Sequence, residues 1–582
     1  MNTTECRPDD VPATTRPSIA STGATASTTS LAALSAAVLA ACGGGSGGGS
    51  GGSSGGSSGG SGDAPGPAPA SAPLSRAQAA RVLGQAAFGG TAIDVENVRA
   101  LGLQGWIDQQ YALPRSPSHV DWMRSNGYEA PPPNLANTDR SGVTRSVWRK
   151  LIASPDVLRQ RVTLALSEVF VISLIPVVLP YRGFASGAFL DGLEANAFGN
   201  YRDLLVFVSK SPAMGAYLSF LNNEKGDPAT GSQPDENYAR EVMQLFSIGL
   251  LQLNLDGTPR LVGGTPQPTY AQVDVTQLAR VFTGWQLTPG RVNGPADPVI
   301  NPMTANAAKH ETGSSTFLGV TVPVGNDGES SLQLAISTFM SQSSVGPFVA
   351  RQLIQRLVTS NPSAAYVQRV AAAFNGDGNR AKGDMRATIT AILTDPDATS
   401  DSTLAMADHG KLREPMVRFV QWARTFGLDS ADNTWDIGDL SSTVYGLAQS
   451  PLRSPSVFNF FRPGYVPSAS ALGDKGITAP EFQITNETTV AGYVNFMQKV
   501  IAKGIAGMSP NYALLLPLAT DANALVAELN VLLAAGQISI ATLASIATAI
   551  ASIDASTAAG QANRINAALT LTMATPEYLI QK

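Results

Sequence analysis

"PDENYAREVMQLFSIGL", residues 234–250, is the stretch on which the reading of this chain turns. On a helix, Tyr238, Val242, Leu245 and Gly249 share one face, with Phe246 beside them. Asn237, Arg240, Glu241 and Gln244 form a second, polar stripe at three- and four-residue steps. Glu236 precedes Arg240 by four residues, the favourable order for an ion pair within a helix. Gly249 suits a helix end. A polar stripe of this kind either works on a ligand or holds packed helices together.

Two later segments share its style. "YAQVDVTQLARVFTGW", residues 270–285, places Asp274 near a helix start and carries Arg280 and Trp285 further on. "AAKHETGSSTFLG", residues 307–319, holds His310 and Glu311 in a loop. Elsewhere the apolar spacing is mostly helical. "LSRAQAARVLGQAAFGG" begins with Ser75 as an N-cap and stops at Gly89-Gly90. "LASIATAIASI" sets Leu543, Ile546, Ile550 and Ile553 at helical steps. Ser154-Pro155-Asp156, Asp395-Pro396-Asp397 and Thr575-Pro576-Glu577 each read as a cap, a proline in the first turn and an acid on the helix dipole. "LGVTVPV", residues 318–324, is the best strand. The expected fold is mainly α, a large multi-helix assembly with few short strands, spanning residues 74–582.

Composition narrows the function classes. The 582 residues are 43% hydrophobic and only 14% charged, with a net charge of −5. No basic stripe appears, so no nucleic-acid partner is expected. Cys6 and Cys42 are the two cysteines, and His119, His310 and His409 the three histidines, scattered along the chain. That pattern points to no disulfide, no cysteine or histidine-rich metal centre and no cofactor in the body, and leaves open only a carboxylate site for a hard cation. "NGDGNRAKGD", residues 375–384, mimics a calcium loop, but Arg380 and Arg386 stand where glycine and the bidentate Glu belong. No phosphate-binding loop, serine-hydrolase elbow or zinc-protease motif occurs. The apolar run at residues 169–180 is short, is broken by Pro176, and reads as core. "SPSVFNFFRPGY", residues 454–465, reads either as an aromatic groove or as a packed loop.

The N-terminus reads as an address. Residues 31–41 form a short apolar core, and Leu39-Ala40-Ala41-Cys42 resembles a bacterial lipobox, in which the cysteine is lipidated. Residues 43–62 contain only Gly and Ser, a flexible tether of roughly 25 Å, and residues 63–75 are Pro- and Ala-rich. The expected order is a lipoprotein-type signal peptide over 1–41, a disordered tether over 42–73 and the helical body. The expected place is the cell envelope, lipid-anchored through Cys42, or secreted.

"ENYAREVMQLFSIGL", "DVTQLARVFTGW" and "KHETGSSTFLG" together resemble the bacterial family called domain of unknown function 1800, DUF1800. "RVLGQAAFGGT", "KLREPMVRFVQWAR" and the closing "ATPEYLIQK" extend the resemblance through nearly the whole body. The resemblance implies a secreted, largely helical protein. It also implies, as a companion, a secreted protein of the DUF1501 family, related to the alkaline-phosphatase superfamily. It implies no reaction.

Two functions follow as expectations. The first is a binding or assembly component of the envelope working with a secreted partner. The second is an extracytoplasmic hydrolase acting on a polymer, with Glu236, Glu241, Asp274 and His310 as its catalytic group and Asn237, Arg240, Arg280 and Trp285 as binding residues. If the stripe is structural, Glu241 is expected to pair with a buried arginine and Glu236 to lie nearer solvent.

Overall fold

The computed structural model describes residues 73–130 and 140–582. The expected signal peptide, Cys42 and the tether as far as residue 72 lie outside the described residues. The body is mainly α, and among the described residues the sheets are four two-stranded antiparallel ribbons.

Local sequence explains most element ends. Ser75 caps the helix Arg76–Ala86 through a capping box with Gln78. That helix ends at Ala86, and Gly89, at φ 76°, returns its N–H to Leu83. Asp395 and Thr575 cap helices with proline at the first position, as expected. Ser154-Pro155-Asp156 differs: Asp156 itself is the N-cap residue, and both prolyl and seryl positions precede the helix Val157–Ser167. The run at 169–180 is core without being helix. Val169, Phe170, Leu174 and Val177 are buried, while Ile175 and Val178 face solvent. No helix among the described residues is long and apolar enough to cross a membrane.

The opening stretch makes a shorter helix than its periodicity predicts, Asn237–Gln244, followed by turns to Gly249 at φ 69°. Its apolar face is deeply buried. Tyr238 stacks on Phe220 with centroids 4.0 Å apart, meets Phe282 edge-on at 4.7 Å, and bonds Ser209 through its hydroxyl at 2.8 Å. The next helix, Gln272–Ala279, packs beside it. The strand expectation at 318–324 resolves into a hairpin, Ser315–Phe317 with Val320–Val322. Leu318 and Gly319 turn it, both at positive φ, the geometry of a tight two-residue turn.

Between the two signature helices lies a small β unit, residues 250–268. The ribbon Leu261–Val262 with Thr265–Pro266 turns at Gly263-Gly264, again both at positive φ. Leu251 bridges Pro268 and Leu253 bridges Pro259, so the preceding chain joins the ribbon. At the far end, Ile580–Gln581 pairs with Lys411–Leu412, which brings the C-terminus over the buried charges described below.

Candidate functional site

The signature residues occupy separate hydrogen-bonding settings on neighbouring elements. Glu236 joins the two signature helices. It accepts from Thr276 Oγ1 at 2.6 Å, Gln272 Nε2 at 2.7 Å and Arg240 Nη2 at 3.2 Å. These bonds, the Thr276 hydroxyl first, hold its carboxyl below the usual glutamate range. Asp274 accepts from the Ala271 N–H and the Leu318 N–H, each at 2.8 Å. It therefore caps its own helix and pins the hairpin turn. Arg280 faces Glu311 at 3.3 Å. Asn237 bonds Ser219, and Trp285 buries its ring and donates to the Val281 carbonyl at 3.2 Å.

His310 is buried, 1% exposed, with Nδ1 2.9 Å from the Thr283 carbonyl and Nε2 3.5 Å from Ser331 Oγ. Glu241 corrects an expectation. It is 9% exposed, yet Oε2 has no hydrogen-bond partner, and Arg240 turns to Glu236 and Gln272 instead. The helix turn places Glu241 on the inner side of the stripe, where Arg240 does not follow it. Burial pushes its carboxyl up, with Arg240 as a weaker opposing influence.

A cavity elsewhere gathers the chemistry that the sequence patterns did not reveal. It measures about 50 Å³, room for a few waters. The helices Ser141–Ala153 and Val157–Ser167 form two walls, and the chain at 449–460 closes it. Leu164, Ser167, Leu452 and Phe460 are half-buried lining residues, while His119, Lys150, Glu168 and Asn459 are buried. Phe460 and Asn459 come from the aromatic segment "SPSVFNFFRPGY", so part of that segment does line a cavity.

Two buried charge clusters meet this cavity. In the first, the Lys150 ammonium forms a very close ion pair with Glu194 and stands 3.7 Å from Asp191. Asp191 also accepts from the His119 and Val120 N–H groups, at 2.7 and 3.0 Å, capping the helix His119–Ser125 from afar. His119 Nδ1 meets Ser146 Oγ at 2.8 Å. Burial, then the Lys150 and Arg149 charges, keep this histidine well below its ordinary pKa and so neutral. His119, Asp191 and Glu194 have ligand atoms within 4.8 Å of one another, a spacing that an ion can bridge. Lys150 already supplies the cation there.

In the second cluster Glu168 faces Glu414, with Arg356, Lys411 and Glu481 around them. Arg356 Nε lies 3.7 Å from Glu168, and Lys411 Nζ lies 3.6 Å from Glu414 and 3.2 Å from Glu481. Gln449 donates to Glu414 at 2.6 Å. Burial and the Glu414 charge hold Glu168 well above the usual carboxylate range. Burial opposes ionisation of Glu414 too, but Lys411, the bond from Glu168 and Arg161 outweigh it and hold its pKa down. Both Glu168 oxygens lack any amide, ammonium or hydroxyl donor.

Glu168 was visible only as one acid within "LALSEVFVIS", and no spacing links it to Glu414. Its role follows from tertiary burial.

Comparison with characterised proteins and with solved structures finds no match. The family model described as "Protein of unknown function (DUF1800)" matches residues 81–580. That match spans most of the sequence, and the chain belongs to the DUF1800 family.

Proposed function

We propose that this is a cell-envelope lipoprotein, anchored through Cys42, whose body binds a secreted partner by the β unit at residues 250–268. One observation carries the reading. Leu250, Leu255, Leu261 and Val262 are all exposed within this short unit, the last two at 56% and 58%. Large apolar side chains exposed within one short segment are a recognised mark of a contact surface. A two-residue strand pair also leaves backbone groups free for an added strand. The unit follows the signature helix directly, so the polar bonds of Glu236 and Asp274 hold its base. The partner class is the secreted DUF1501-type companion that the family resemblance implies.

A hydrolase working through Glu236, Glu241, Asp274 and His310 is the weaker reading. Glu236 and Asp274 already have strong donors, and His310 is buried among Thr283 and Ser331.

The test is sedimentation velocity of the mature chain mixed with the DUF1501-type protein of the same genome. A faster-sedimenting complex is expected, lost in the variant Leu261→Asp with Val262→Asp. No complex, or a complex indifferent to both substitutions, contradicts the reading. For the anchor, Cys42→Ser should move the protein from the membrane fraction to the soluble one. An unmodified Cys42 in the mature protein, seen by mass spectrometry, contradicts lipidation.

A further inference from the structure

Residues 427–470 form no helix and, beyond one isolated bridge between Ser456 and Asn459, no strand pairing, in a body otherwise built of helices. A segment of this length without regular structure is uncommon inside a compact body, and such segments mostly serve as lids or binding loops. Half of the described non-glycine residues at positive φ lie in it: Asn433, Trp435, Ala448, Leu452, Asn459 and Ala469. Asn accepts this conformation readily, whereas Ala, Leu and Trp do not. Strain of this kind persists only where surrounding bonds enforce it, and it gathers at clamps and switches.

The middle of the segment, residues 438–460, closes the cavity against the helices Ser141–Ala153 and Val157–Ser167. Isolated bonds tie it to the body. Trp148 Nε1 donates to the Gly438 carbonyl at 2.9 Å, and the Leu174 N–H to the Leu452 carbonyl at 3.0 Å. Gln449, fully buried, is the latch. It accepts from the Met416 N–H at 3.1 Å and donates to Glu414 at 2.6 Å. The outer loop closes on itself, with the Leu447 N–H bonded to the Leu440 carbonyl at 2.7 Å and Arg453 3.1 Å from Asp439. Lifting the strap can therefore break its bonds to the body and keep its own loop closed. Ala448 and Leu452 flank the latch, and the closed position holds them at φ 56° and 57°. Release lets both relax, so their strain works against the latch.

Beneath the latch lie the buried Glu414 and Lys411, 3.6 Å apart, beside an apolar wall that includes Val147, Leu151, Ile172 and Met416. Buried charges are costly to keep, and they cluster at working sites. We propose that residues 438–460 are a lid, latched by Gln449 and strained at Ala448 and Leu452, that lifts from the helices and uncovers Glu414 and this wall. The lid is separate from the β unit at 250–268 and does not depend on it.

Two amides of the body report its position, because their acceptors lie on the strap: Leu174 N–H and Met416 N–H. The experiment is hydrogen exchange of the full mature chain, read by mass spectrometry at single-amide resolution. Both amides are expected to show equal protection, on the order of a hundredfold or more below that of Val162 in the core. Gln449→Leu removes the latch and should lower the protection of Leu174 by at least about tenfold. Ala448→Gly relieves strain in the closed position and should raise the protection of Leu174 and Met416 by about fivefold. Protection of either amide equal to that of Val162 overturns the proposal, as does unequal protection of the two. So does Leu174 protection that stays unchanged in a Gln449→Leu protein melting like the parent. If Gln449→Leu does not fold, Ala448→Gly decides, and protection that is unchanged or lower there overturns the proposal.

Discussion

The Lys150 ammonium is buried against the Glu194 carboxylate, with Asp191 3.7 Å away. Burial raises both acids, and Lys150 is the main influence that opposes it. Removing that ammonium strands two acids in the interior. Lys150→Met should cost about 3–5 kcal/mol in denaturant unfolding. Adding Glu194→Leu should recover part of that loss, because the second substitution removes one stranded acid. A Lys150→Met protein as stable as the parent would show that the ammonium does not hold this cluster.

Glu241 gives a pH test of opposite character. Its folded pKa is raised by burial. A raised carboxyl contributes stability that is fully present below the unfolded pKa and is lost as pH rises through the folded one. Glu241→Gln stays neutral throughout. It should therefore melt above the parent at pH 7 and converge with it near pH 4. Thermal unfolding across that range checks the sign, and a Gln variant that melts lower at pH 7 contradicts it.

Asp274 should act as a joint. It bonds Ala271 N in its own helix and Leu318 N in the hairpin. Asp274→Ala loses both bonds and should cost about 1–2 kcal/mol. Asp274→Asn keeps an acceptor oxygen for one of them and should cost about half as much. Equal losses for Ala and Asn would show that charge, rather than the two bonds, is what matters there.

The helical architecture was legible because it rests on local rules. Ser75, Asp395 and Thr575 cap helices where their types and the following residues say they should, whereas Leu318 and Gly319, read as the start of a strand, turn a hairpin instead. The Glu236–Arg240 pair was legible for the same reason, since both lie on one helix. The partner of Glu241 was not. Whether Arg240 faces inward depends on Gln272 and Glu236, and Gln272 belongs to the next helix. The Glu168–Glu414 pair was further out of reach. The two residues are far apart in the chain, Glu414 lies in "KLREPMVRFVQWAR" with nothing there to point to Glu168, and only packing brings them together in the interior. The cavity shows the same limit: Phe460 and Asn459 were noticed as an aromatic segment, but nothing in the sequence set them against the helices Ser141–Ala153 and Val157–Ser167.

The most direct measurement concerns Glu236 and Thr276, whose 2.6 Å bond joins the two signature helices. If the polar signature is a structural joint at the base of the β unit, the two side chains must be energetically coupled. A double-mutant cycle with Glu236→Ala and Thr276→Val, read by denaturant unfolding, isolates that coupling. The account predicts a loss of about 1 kcal/mol for Glu236→Ala and a coupling of about 0.5–1 kcal/mol between the pair. Unchanged stability with no coupling, in a Glu236→Ala protein that has lost partner binding or an activity, would contradict it and mark the stripe as a working site.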